Sequence, residues 1–299
     1  METIEDLKSR IESTTDLQSI VKTMKAMAAV KIRQYEKAVE SLEDYNKNIE
    51  MGFRIVMKRM SEMSLSAKKG EGLKSGAVIL GSDQGMCGQL NDLIVSFALD
   101  EMRNHSSGGN DETVFMAAGE RVKGRLTDSG RRVDEFITMP GSVGGIITSV
   151  NRVLSTILRW NEERKVVNVF LFYSRSLSGA RYDQQMVHLL PLDRTWLEKI
   201  RKEKWPARAI PQYTMERDVL FSFLVRQYLF AALYRAFAES LASENASRLA
   251  AMQGAEKNIE TRLSELNLAY HQKRQMSITE ELLDIVSGFE AMEHDISII

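Results

Sequence analysis

Apolar residues recur at alternating spacings of three and four along the amino-terminal stretch. Ile4, Leu7, Ile11, Val21, Ala28, Ile32, Tyr35, Val39, Leu42, Ile49, Phe53, Val56, Met60 and Met63 share one seam, interrupted by the polar Thr14, Gln18, Lys25 and Asn46. This heptad predicts a long helix that buries one stripe against a partner helix. No proline and only Gly52 interrupt it, so the rod expected is roughly 90 Å long at the α-helical rise. The breaker-rich run Ser64 to Gly76 ends it.

The period then changes. Ala77 to Leu80, Thr113 to Ala117, Val166 to Tyr173 and Gln184 to Leu190 read as short apolar strands. Helical patterns at Asn91 to Asn104, Gly119 to Ser129 and Ser142 to Asn161 lie between them. Such alternation predicts a small α/β domain with a mainly parallel sheet. Pro206 and Pro211 close this domain.

From about Met215 to Ile299 there is no proline, and the glycines are Gly254 and Gly288. One continuous helix is expected, roughly 120 Å long. It carries an earlier stripe, Leu249, Met252, Ile259, Leu263, Leu266 and Tyr270. A later one, Ile278, Leu282, Ile285, Phe289, Met292, Ile296 and Ile299, is offset from it by one residue. Packing must change where the two phases meet, across His271 to Ser277.

Two long helices at opposite ends of a chain bury their stripes most readily against each other. The fold class expected is therefore α/β plus long α, an antiparallel coiled coil of N- and C-terminal helices with a central Rossmann-like α/β domain. The boundaries expected are 1–66 for the first helix, 77–212 for the α/β domain and 213–299 for the second helix.

Charge adds little at the level of the whole molecule, since 40 basic residues face 41 acidic ones; no field announces a nucleic-acid or membrane-surface ligand. Locally, Leu17 to Tyr35 has Lys22, Lys25, Lys31 and Arg33 and no acid, whereas Met276 to Ile299 has six acids and no Lys or Arg. Pairing of these oppositely charged ends is expected to help set the register. Nucleic-acid binding by the basic stretch is disfavoured because Tyr35 is its only aromatic and acidic residues flank it.

The one cysteine, Cys87, cannot form an internal disulfide, and His105, His188, His271 and His294 lack metal-ligand spacing. A reducing compartment, no metal site and no cofactor are expected. The opening METIEDLKSR carries acids and lacks an apolar core, so no signal or transit peptide is expected. Nor does any apolar run reach the roughly 20 residues of a membrane span. Direct membrane insertion is therefore not expected.

The glycine-rich Gly81 to Asn91 follows a strand and opens a helix, the setting of phosphate-binding loops. It has neither a GxGxxG nor a P-loop spacing and no lysine, which favours a tight strand-to-helix turn. Pro140 to Gly145 reads as a second capped loop. Asp83, Asp134 and Asp183 sit near strand ends without a histidine, cysteine or serine at catalytic spacing.

Leu7-Lys8-Ser9-Arg10-Ile11 and Ile20 to Arg33, with its Lys22-Thr23-Met24-Lys25-Ala26-Met27 core, resemble the opening helix of F-type ATP synthase gamma subunits. Ser82 to Asn91 resembles that family's S-D-R-G-L-C-G-x-L-N. Ser243 to Met252 resembles S-E-x-A-A-R-M-x-A-M, and Arg274 to Gly288 resembles R-Q-A-x-I-T-x-E-L-x-E-I-V-x-G. Departures are Gln84 for arginine, Ala255-Glu256-Lys257-Asn258 for A-T-D-N, and His271 for asparagine. The paired regulatory cysteines of the chloroplast form are absent.

The resemblance implies a non-catalytic rotor shaft. Its coiled coil would stand inside a ring of alpha and beta subunits, and its globular domain would sit with an epsilon subunit on the membrane c ring. It further implies that Met24, Lys25, Arg274, Gln275 and Thr279 meet a beta subunit and that Tyr213 and Glu216 meet the c ring. The address implied is peripheral, on the cytoplasmic face of a bacterial inner membrane. A coiled-coil scaffold with an α/β binding domain, a nucleotide-binding α/β enzyme and a basic-helix nucleic-acid binder are the competing readings. Each accounts for only part of the chain.

Overall fold

The computed structural model describes residues 3–58, 74–105, 113–178, 181–203, 205 and 211–296. Met60, Met63, the breaker stretch up to Leu73, Pro206 and Ile299 lie outside these residues, as do the side chains of Phe289, Met292 and Ile296.

The amino-terminal seam folds as its spacing dictates, in helices α1 (Ile4–Glu40) and α2 (Leu42–Met57). Every predicted seam position from Ile4 to Val56 is buried or half-buried, including the polar Thr14, Gln18, Lys25 and Asn46. The single helix expected is divided at Ser41. Its hydroxyl donates to the Ala38 carbonyl at 2.8 Å, a local bond that competes with the helical ladder. Backbone angles there stay helical, φ −64° and ψ −15°, so the seam keeps its register across the break. Gly52 marks a close helix crossing, because a Cβ on it would lie 2.6 Å from Leu224 Cδ2.

The central strands are β1 (Lys74–Leu80), β2 (Thr113–Ala118), β3 (Glu135–Ile137), β4 (Val166–Ser178) and β5 (Arg181–Leu190). They form one sheet in the order β3-β2-β1-β4-β5. All neighbours are parallel except β4 and β5, a hairpin. Helices α3 (Leu90–His105), α4 (Glu120–Asp128) and α5 (Val143–Arg164) connect the strands, α6 (Arg194–Lys202) follows β5, and α7 (Arg217–Ile296) ends the chain. The period-two side-chain alternation of a strand sends Ala77 and Ile79 to one core, with Ile94, Ala98 and Val122 of α3 and α4. Val78 and Leu80 go to another, with Val150, Val153 and Trp160 of α5 and Leu233 and Phe237 of α7. Both faces are thus covered, as a parallel sheet requires. Neither β3 nor α6 is anticipated by the periodicity. The first is 3 residues long, and the second is short and rich in interleaved charge.

Two compact units emerge, residues 28–250 and residues 1–27 with 251–299. Both long helices pass from one to the other. Within the larger unit, Leu224, Leu229, Leu233, Phe237 and nearly every position from Ser240 to Arg248 of α7 are buried. Small residues at Ala236, Ala238, Ser240, Ala242, Ser243 and Ala246 allow neighbours close on all sides of the helix. Tyr45 of α2 donates its hydroxyl to Gln227 of α7. Since Gly52 faces Leu224, the two helices run antiparallel.

In the smaller unit burial narrows to a stripe. Leu7, Met252 and Leu266 are its deepest apolar residues, and Lys25 Nζ meets Glu256 Oε2 at 2.5 Å. Antiparallel register from that pair sets Ile4 roughly level with residue 277. The later stripe therefore runs past the start of α1, and Ile278, Leu282 and Ile285 are 49%, 57% and 57% exposed.

The tight fit of β1 under α5 yields an expectation for stability. Gly76→Ala would place a Cβ 2.9 Å from the Trp160 ring and 3.1 Å from Val166 Cγ1. With Trp160 almost fully buried, this overpacking should cost about 1–3 kcal/mol, measured as a lower urea midpoint at unchanged slope.

Candidate functional site

The strand order reverses beside β1, so the loop leaving its carboxyl end, Gly81 to Gln89, occupies the switch point where open α/β sheets commonly bind ligands. Here the loop turns inward. Gly81 N–H donates to the Ala118 carbonyl at 2.9 Å, and Ser82 N–H donates to Asn91 Oδ1 at 3.0 Å. Asn91 Nδ2 returns a bond to Ser82 Oγ at 2.9 Å. Asp83 accepts the Glu120 and Met139 amides at 3.0 and 2.9 Å, which ties the loop to α4 and to the segment after β3. Gly88 has φ +57°, a left-handed turn that glycine adopts without penalty. The amides of Gly81 and Ser82 are thus engaged within the fold rather than offered to a phosphate.

Two of the loop's carbonyls bond to α7. Ser247 Oγ donates to the Cys87 carbonyl at 2.6 Å and Arg248 Nη2 to the Gly85 carbonyl at 3.3 Å. Arg248 also holds Glu244 one turn earlier at 2.6 Å, both side chains 9% exposed. Burial pushes the Glu244 carboxyl above its ordinary range against the pull of the Arg248 guanidinium, while Asp83 raises it further and Lys31 of α1 lowers it. Ser243 Oγ donates to the Ser174 carbonyl of β4, 3.0 Å away. Nearby, burial and then the Glu239 carboxylate raise the Tyr173 phenol; burial raises Glu239 in turn, offset by the Tyr173 hydrogen bond.

Two sequence motifs about 160 residues apart, Ser82 to Asn91 and Ser243 to Arg248, are therefore one joint between sheet domain and long helix. Sequence reasoning treated them separately. The signal available was the shared richness in Ser, Asn and charge at positions where an amphipathic pattern alone calls for apolar residues.

The expected partner-binding residues lie in three places. Met24 and Lys25 are half-buried on α1, with Lys25 engaged by Glu256. Arg274, Gln275 and Thr279 are exposed on α7, and Thr279 Oγ1 bonds the Gln275 carbonyl at 2.8 Å. Arg274 lies 18 residues beyond Glu256, roughly 27 Å along the helix, so Met24 and the Arg274 group sit at different levels. Tyr213 is half-buried and Glu216 exposed just ahead of α7. The Glu216 carbonyl accepts the Leu220 amide at 3.0 Å, in the first turn of α7.

One charge expectation changes. The basic stretch of α1 reaches Glu256 of α7, whereas Glu280 is 24 residues, roughly 36 Å, further along the helix. Its acidic neighbours Glu281 and Asp284 are likewise beyond the start of α1. They cannot set the register by pairing with Lys22 to Arg33.

Comparison with known proteins places this geometry in context. A family model described as ATP synthase matches residues 3–292. The chain is 28% identical over 296 residues to an ATP synthase gamma chain of Nitrosomonas eutropha, covering 96% of this chain and 98% of that one. It is 29% identical to the ATP synthase gamma chain of Nitrosomonas europaea at the same coverage. Among solved structures, a chain of the Euglena gracilis mitochondrial ATP synthase rotor matches with TM-score 0.62 and 17% identity, covering 92% of this chain and 98% of its own length. A chain of the Tetrahymena thermophila central stalk and c-ring structure matches with TM-score 0.53 and 21% identity, covering 79% and 99%.

The joint has a measurable energetic consequence. Arg248→Met should destabilise the chain by about 3–5 kcal/mol, because it leaves the buried Glu244 carboxylate uncompensated. Arg248→Met combined with Glu244→Gln should recover much of that loss, and equilibrium denaturation of the two variants checks both values.

Proposed function

We propose that this chain, which belongs to the ATP synthase family as a non-catalytic gamma subunit of the central stalk, couples ion-driven rotation of a c ring to the cycling of alpha and beta subunits. One observation carries the reading. α7 is a single helix of 80 residues, about 120 Å long, paired along a heptad seam with the opposite end of its own chain. Long helices joined on such a seam resist bending and twisting.

Two exposed apolar stretches support partners at both ends of α7. At one end Ile278, Leu282, Leu283, Ile285 and Val286 are about half exposed or more. They form a patch that a covering partner would shield, and the alpha and beta subunits are that partner. Beside it, Arg274, Gln275 and Thr279 offer polar side chains to a beta subunit, and Met24 and Lys25 meet a beta subunit at a second level. At the other end Met215, Val219 and Phe223, each 50–52% exposed and four residues apart, lie next to Tyr213 and Glu216. This surface faces the c ring, with the epsilon subunit alongside.

A rotating shaft changes its partners through differential contact with their states. The side chains around α7 are not equivalent, so each beta subunit meets a different face in turn. No helix among the described residues is long and apolar enough to cross a membrane. The rotor reading puts the working position at the periphery, on the cytoplasmic face of a bacterial inner membrane, held there through the c ring.

Purification of the tagged chain from its own cells should bring down alpha and beta subunits in stoichiometric amounts; their absence would favour the scaffold reading. In that complex a cysteine replacing Tyr213 should cross-link to the c subunit, and labelling of alpha or beta instead would move the foot elsewhere. Arg274→Ala and Gln275→Ala should each weaken coupled ATP synthesis, since a hydrogen bond involving a charged group contributes about 1.5–3 kcal/mol and a neutral one about 0.5–1.5 kcal/mol. Met24→Lys should reduce coupling more than hydrolysis, with helicity by circular dichroism unchanged in all three.

A further inference from the structure

A third hydrophobic core stands apart from the two that flank the sheet. Its buried residues are Ile49, Phe53, Val56 and Met57 of α2, Leu197 and Ile200 of α6, and Leu224 and Ala231 of α7. None comes from a strand. Phe53 is fully buried and receives three rings edge-on: Trp196 of α6 at 5.5 Å, then Phe221 and Tyr228 of α7 at 5.9 and 6.3 Å. Trp196 and Tyr228 also touch, at 4.8 Å. At the rim Arg54 of α2 pairs with Glu203, the residue after α6.

α6 is anchored where it starts, since the Asp193 carboxylate caps it by accepting the Thr195 amide at 2.8 Å. The segment linking it to β5 is a short one, Pro191 to Asp193, so its position is set from the sheet domain. Two helices that meet along one seam can roll or slide against each other, whereas a third helix packed into the groove between them removes that freedom. Edge-to-face rings sharpen the constraint, because their attraction depends on angle as well as distance.

We propose that α6 is a torque clamp: Trp196, Leu197 and Ile200 lock α2 to the first turns of α7, which follow Tyr213 and Glu216 in the chain, so that force entering at the start of α7 turns both helices as one body. This rests on the rotor reading. Trp196 acts through Phe53 and Tyr228 and is a positioning residue. Without the clamp, force at the start of α7 reaches α2 through the direct seam alone, with its Gly52–Leu224 and Tyr45–Gln227 contacts.

The test compares parent, Trp196→Phe, Trp196→Ala and Ile200→Val in the assembled complex. Amide hydrogen exchange at residues 49–57 should rise about tenfold in Trp196→Ala, with residues 236–248 of α7 unchanged. ATP synthesis should fall severalfold relative to ATP hydrolysis by the same complex. Trp196→Phe should hold close to the parent in both readouts. Ile200→Val, which removes one methyl group, should shift both in the same direction by less, and it serves if Trp196→Ala does not accumulate. Unchanged exchange at 49–57 would overturn the clamp, and so would lost protection with an unchanged ratio of synthesis to hydrolysis. In the full chain alone the exchange comparison decides whether α6 holds α2 even if no alpha and beta subunits bind, so the clamp and the rotor reading fail separately.

Discussion

One helix serves two packing regimes along its length, and the rest of the structure is arranged around that constraint. Between Leu229 and Arg248, α7 is buried on nearly every side, as part of the sheet domain's core. Beyond Met252 it buries a stripe. A helix buried all round needs small side chains where neighbours approach closely, which accounts for the alanine and serine content of 236–247. A helix buried on one stripe needs only a repeat of apolar positions. The change of composition along α7 follows this change of environment.

The joint at Ser247 and Arg248 shows how the same helix alters the meaning of the sheet. A 3-2-1-4 strand order with a glycine loop after β1 is an arrangement that often receives a nucleotide. In this chain, side chains of α7 bond the Gly85 and Cys87 carbonyls, and the loop's first two amides bond within the domain. The switch point thereby becomes an attachment between domain and shaft. Buried ionic pairs contribute little net stability compared with apolar packing, but a pair with one partner removed is costly. Breaking the Glu244–Arg248 pair is therefore expected to cost more than the pair itself contributes.

Much of the architecture was legible in the chain's periodicity. Seam positions from Ile4 to Val56 are all buried or half-buried, and four of the five strands and three connecting helices lie where the change of period put them. Two elements were not legible. β3 is too short for a period to register, and α6 is a short helix whose apolar residues Trp196, Leu197 and Ile200 are set among basic and acidic ones, too few to mark a period. Of the candidate site residues, sequence identified Lys25 as an anomaly on the seam but did not supply its partner, Glu256. It likewise singled out Arg274, Gln275 and Thr279 by resemblance, without showing that they lie far along α7 from Met24.

The sequence by itself determined the periods and the phase shift near His271, because side-chain repeat along a helix or strand is a local property of consecutive residues. Tertiary structure alone decided which residues of the two long helices stand level with each other. It thereby decided that Ile278, Leu282 and Ile285 run past the start of α1 and stay about half exposed. It also decided that Cys87 and Ser247, 160 residues apart, form one joint, and that α6 fills the groove beside Phe53. Such pairings depend on where separate elements meet in space, and a one-dimensional pattern of apolar and polar positions carries no term for that distance.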